Sequence, residues 1–114
     1  MNDERKIHMG NAVRFLDRSR EQVGQMTRSV PQLIEGDRVA WQAARACAER
    51  LSAEARQCGF DVLGACAREF LRIADEQFAG AELSLNFLMA ATTAIETIAL
   101  EHARLDAINP GAAP

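Results

Sequence analysis

The chain has 114 residues, a formal charge of -3 and a pI near 5.4, with 48% hydrophobic and 25% charged residues. That size suits one domain with one buried core, and the composition argues against wholesale disorder. The acidic balance argues against a general electrostatic grip on nucleic acid, which needs a basic, phosphate-neutralising face that no run of residues here supplies.

Alanine is abundant, Tyr is absent, and proline occurs only at Pro31, Pro110 and Pro114, a balance that favours helix over strand. Positive charge is arginine except for Lys6, so charged contacts would use the forked guanidinium. The opening residues MNDERKIHMGNAV are charged where a secretory signal is apolar, and no segment approaches about 18 consecutive apolar residues. The expectation is a cytoplasmic protein with no membrane contact. Cys47, Cys58 and Cys66 are odd in number and lack a C-x-x-C pair, which predicts reduced thiols serving as small core residues.

The first helix should start near Asp3 and present Met9, Val13, Leu16, Val23, Met26 and Val30 at helical spacing, with Arg20 breaking the stripe once. Pro31 should kink or restart it at Ser29, and Gly36 should end it in a left-handed turn. Asp37 can cap a second helix running to about Cys58, whose inward face reads Ala40, Ala44, Cys47, Leu51, Ala55 and Cys58.

Gly59 should end that helix and Asp61 should cap a third, carrying Val62, Leu63, Cys66, Phe70, Ile73 and Phe78. After Gly80 a fourth should run from about Ala81 to Leu105 on Leu88, Ala91, Ile95, Ile98 and Leu105, leaving Glu101 on an outer face. Four amphipathic segments joined by short turns predict an all-α fold, an antiparallel up-down four-helix bundle over residues 1–108 with a frayed tail at 109–114.

The second helix and its exit, AWQAARACAERLSAEARQCGFDVLGACAREF from Ala40 to Phe70, resembles the histidine-containing phosphotransfer (HPt) domain of bacterial phosphorelays. That family carries H-x-L-K-G on a helix, followed six residues later by a glycine. Counting back from Gly59 puts the family histidine at Glu49, its leucine at Leu51, its lysine at Ser52 and its motif glycine at Ala53. Leu51 and Gly59 match; the histidine and lysine do not. The resemblance also extends to FDVLGACAREF, which is similar to the family's third helix, and to Asp37, which stands where the family often has an acidic residue.

The departure decides what chemistry the resemblance implies. Phosphotransfer needs an imidazole nitrogen as the acceptor and a nearby cation to offset the phosphate, and Glu49 and Ser52 supply neither. The resemblance therefore implies a non-catalytic, HPt-like protein that docks on a two-component partner, a response-regulator receiver domain or a histidine kinase. Glu49 and Leu51 lie about 200° apart around a helix, so a buried Leu51 turns Glu49 to solvent. Gln42, Arg45, Ser52, Ala53 and Arg56 should share that outer face as the partner-binding surface, with Arg45 and Glu49 as an i, i+4 pair.

Two further readings stay open. A helical adaptor or self-associating bundle would expose an apolar patch elsewhere, with Leu85, Phe87 or Trp41 as its members, although a Trp near a helix start is by default a partly buried packing residue. Active phosphotransfer would have to use His8 or His102, each of which reads by default as a surface histidine near a helix end. The sequence has no glycine-rich phosphate loop, H-E-x-x-H, paired-cysteine metal motif or Ser-His-Asp order, so neither an enzyme nor a cofactor or metal is expected.

Overall fold

In a computed structural model of the chain, five helices follow one another: α1 (Asn2–Arg28), α2 (Val30–Ile34), α3 (Arg38–Gln57), α4 (Asp61–Phe78) and α5 (Leu85–Ile108). The structure describes residues 2–109, with side chains from residue 11 onward. The expected roles of Asp3, His8 and Met9, and the tail at 110–114, lie outside the described side chains and residues. No strand occurs among the described residues, so the fold is all-α.

The turns follow the glycines. Gly36, Gly59 and Gly80 have φ of 79°, 80° and 100°, and each stands just beyond a helix, where an L side chain would be strained. Ser29 breaks the first helix, and Pro31, in the first turn of α2, restarts it where its missing N–H has no helical partner to lose.

Caps set two of the remaining starts. The Asp37 carboxylate accepts from the backbone N–H of Val39 at 2.9 Å and of Ala40 at 3.2 Å, as expected. Ser84 accepts from the Phe87 N–H at 3.2 Å, which starts α5 four residues later than the sequence suggested. Asp61 does not cap α4; Phe60 holds that position without a side-chain bond, and Asp61 lies in the first turn, where its charge complements the helix dipole.

Among the long helices, α3 packs on α4, α4 on α5, α5 on α1 and α1 on α3, while α2 lies against α1, α3 and α5. The core between them is built on Phe15, Leu16, Met26, Trp41, Leu51, Leu63, Phe70, Ile95 and Ile98. Trp41 is wholly buried: its ring stacks on Phe70 with centroids 6.1 Å apart, and its N–H donates to the Leu33 carbonyl at 3.1 Å. This removes Trp41 from any exposed patch.

Several inward residues differ from expectation. Phe15, absent from the expected stripe, is 1% exposed, whereas Val62 is 60% exposed. The cysteines are half-buried and free, at the margin of the core instead of inside it. Glu101 is buried, not on an outer face, and Arg104 donates to its carboxylate, including from Nη2 at 3.0 Å. No helix among the described residues is long and apolar enough to cross a membrane.

Candidate functional site

The exposed side of α3 follows from which residues it buries. Trp41, Ala44, Ala48, Leu51, Ser52 and Ala55 face inward, a stripe turned by about 50° from the one expected through Cys47 and Cys58. Small alanines on both sides of the helix allow either stripe by spacing alone. The large ring of Trp41 decides between them, because it is the residue with most apolar surface to bury.

This rotation relocates one expected site residue. Ser52 is buried at 7% exposure, so it leaves the outer face. It lies at the α3–α4 seam, where a Cβ added to the buried Gly64 would stand 3.5 Å from the Ser52 carbonyl oxygen and 3.0 Å from Arg56 Cγ. Gly64 thus permits the close approach of the two helices. Gln42, Glu49, Ala53 and Arg56 are exposed and Arg45 is half-exposed, so five of the six expected residues share the solvent side.

Glu49 stands on the flank of that side which faces α4. Arg45 Nη1 donates to Glu49 Oε2 at 3.1 Å, the expected i, i+4 pair. Arg45 Nε also donates to Asp75 Oδ1 of α4 at 2.7 Å. The bond to Asp75 is the main cause holding the Arg45 guanidinium above its ordinary pKa, with Glu49 adding less. Two carboxylates share one guanidinium, so the cluster of Arg45, Glu49 and Asp75 carries one net negative charge. Asp75 escaped the sequence reading because it comes from another helix, 30 positions away from Arg45.

A second polar cluster lies on the opposite seam, between α1 and α5. His102 is 4% exposed, not at the surface. Its Nε2 stands 2.9 Å from Ser19 Oγ and 3.1 Å from the Leu16 carbonyl oxygen. Ser19 spends its hydroxyl proton on the Phe15 carbonyl at 2.6 Å, so both neighbours of Nε2 are acceptors and Nε2 carries the proton. The other ring nitrogen lies 3.6 Å from Asp106 Oδ2, and Asp106 is in turn held by Arg20 at 3.2 Å.

Ser19, His102 and Asp106 have the residue types of a hydrolytic triad but not its polarity. The imidazole donates toward the hydroxyl where a general base would accept from it, and Ser19 is 1% exposed. The cluster instead satisfies polar groups buried between two helices. With Nε2 engaged and the ring enclosed, His102 offers no open nitrogen to a phosphoryl donor in this conformation.

The thiols are equally quiet. Burial pushes Cys47, Cys58 and Cys66 above the ordinary cysteine pKa, which keeps them protonated and poorly nucleophilic. Among the described residues, no group of three His, Cys, Asp or Glu side chains is placed to hold a metal ion.

The other prominent surface is apolar. Leu85, Met89 and Leu100 on the outer side of α5 are 74%, 57% and 72% exposed, and Ile34 of α2 beside them is 49% exposed. Grooves flank this ridge, one of them a furrow of about 690 Å³ between α4 and α5 lined by Cys66, Ile73, Met89, Ala90 and Thr93 among others. Searches of family models, of curated proteins and of solved structures return no match to this chain.

Proposed function

We propose that the protein is a non-catalytic, HPt-like binding module that docks on a two-component signalling partner, a receiver domain or a histidine kinase, and regulates it by occupancy. The observation that carries this reading is the disposition of the motif helix. Glu49 is solvent-exposed at the position of the family histidine, while Leu51, two residues on, is wholly buried. The cyclic packing of four long helices supports an antiparallel four-helix bundle of the HPt kind.

The contact surface is Glu49 with Gln42, Arg45, Ala53 and Arg56; Ser52 supports it from beneath. The excess negative charge of the Glu49, Arg45 and Asp75 cluster favours a basic partner surface, or an acidic receiver pocket whose bound metal ion makes up the balance. The test is a pull-down against receiver domains and kinases with wild type, Glu49→Arg and Glu35→Arg, the last an exposed charge reversal in the turn after α2. Loss of a signalling partner with Glu49→Arg alone is the expected result. Capture of a signalling partner by all three proteins alike, or by none, would remove the reading.

A second reading is favoured by a separate observation. The exposed Leu85, Met89 and Leu100 form the apolar patch that a helical adaptor or self-associating bundle requires; Phe87, expected in that patch, instead turns inward against Trp41 and the core. In that reading α5 is the working surface and the protein acts by holding another helix.

A further inference from the structure

A helix at the edge of a small domain normally buries one apolar stripe and turns charge to water. α5 departs from this: between Leu85 and Leu100 its sole charged residue is Glu96. Its inward stripe is satisfied by the core through Ala91, Ala94, Ile95 and Ile98. In the outward stripe of Leu85, Met89, Thr92, Thr93, Glu96 and Leu100, all within about 60° of the direction away from the core, Thr92 is half-exposed and the other five are exposed among the described residues.

The order of that stripe says what covers it. Taken about a point between Thr92 and Thr93, Leu85 is the mirror position of Leu100, Met89 of Glu96, and Thr92 of Thr93. We propose that α5 packs antiparallel on α5 of a second copy about a two-fold axis between Thr92 and Thr93, forming a homodimer. The proposal rests on the second reading above, that α5 is a working surface, and is independent of the Glu49 face.

Each register contact is then chemically sensible. Both leucine pairs are apolar, the two threonines allow close approach at the axis, and each Glu96 lies against Met89 through its methylenes, with its carboxylate extending from the strip toward solvent. The two Glu96 carboxylates stand about 10 Å apart along the axis, which limits their repulsion. The same register carries Glu82, exposed before α5, to the end of the other copy's α5 where exposed Arg104, whose guanidinium also bonds Glu101 of its own helix, stands opposite it at both ends. A helix of 24 residues is about 36 Å long. With the flanking grooves, such a strip offers on the order of 700 Å² per copy, close to the roughly 800 Å² per partner of a standard stable interface.

The test is the mass of the full chain in solution, by light scattering on a sizing column or by sedimentation, for wild type, Leu100→Glu and the control Glu35→Arg, with circular dichroism confirming that each is helical. A dimer for wild type and control, weakened by about tenfold or more in Leu100→Glu, is expected. Register is read from cysteine variants under mild oxidation: Thr92→Cys should crosslink to its own copy across the axis, and Leu85→Cys, about 22 Å from its own copy, should not. A wild-type monomer, a dimer indifferent to Leu100→Glu, or crosslinking of Leu85→Cys with itself would overturn the proposal. A monomer that captures a foreign helical partner through Leu100 would also overturn it while leaving the adaptor reading intact; a monomer in which Leu100→Glu changes no contact would end both.

Discussion

His102 Nε2 stands 2.9 Å from Ser19 Oγ, joining α5 to α1 through a hydrogen bond buried in the seam between them. Burial holds the imidazole below its ordinary pKa; Asp106 and the Leu16 carbonyl pull the other way, and Arg20 adds to the lowering. The unfolded chain binds its proton near about pH 6.5, whereas the folded chain binds it only at lower pH. Stability is therefore fully present above about pH 6.5 and falls as pH drops below it, with a slope of at most about 1.4 kcal/mol per pH unit until the folded pKa is passed.

Urea unfolding between pH 7.5 and 5.5 should show this loss in the wild type. In His102→Gln, whose amide can still donate toward Leu16 and Ser19, the slope over that window should largely disappear. An unchanged slope would assign it to other groups.

Trp41 is the only tryptophan, and its ring lies between Phe70 and Phe87 with its N–H bonded to Leu33. Its fluorescence should be blue-shifted in the folded protein and red-shifted on unfolding. Trp41→Phe leaves a void and an unpaired Leu33 carbonyl, and should cost about 2–3 kcal/mol by denaturant midpoint. A loss below about 0.5 kcal/mol would mean that the ring is not the centre of this packing.

Gln77 Oε1 near the end of α4 is buried with no hydrogen-bond partner among the described residues. Gln77→Met keeps the length of the side chain and removes the orphaned acceptor, and should be neutral or stabilise by up to about 1 kcal/mol. Thermal unfolding of the two proteins measures it, and a clear destabilisation would show that the oxygen makes a bond in solution.

The punctuation of the fold was legible in the sequence, and its rotations were not. Gly36, Gly59 and Gly80 announce the turns because only glycine takes their positive φ cheaply, and Asp37 announces α3 because its carboxylate can reach two free N–H groups. The inward face of α3 was misread because alanines at 40, 44, 48 and 55 serve two stripes about 50° apart, and the choice is made by Trp41 and Phe70 across the core. Ser52 moved inward as a direct result. His102, read as a helix-end surface residue, is buried because Ser19 and Leu16 on α1 supply its partners, and no local pattern in α5 records them. Glu49 and Leu51 were placed correctly, since their opposition depends on helix geometry alone.

The apolar outer side of α5 was partly foreseen through Leu85. Its continuity through Met89 and Leu100 became visible only when the inward stripe was fixed and these side chains were left over.

The central claim, that the α3 flank around Glu49 is the docking surface, is tested most directly by amide hydrogen exchange on the protein alone and with a receiver domain or kinase captured in the pull-down. The account predicts added protection within α3, from Gln42 to Arg56, and at Asp75 of α4, with α5 unchanged on adding the partner. Protection confined to Leu85–Leu100, with α3 exchanging as in the free protein, would contradict it.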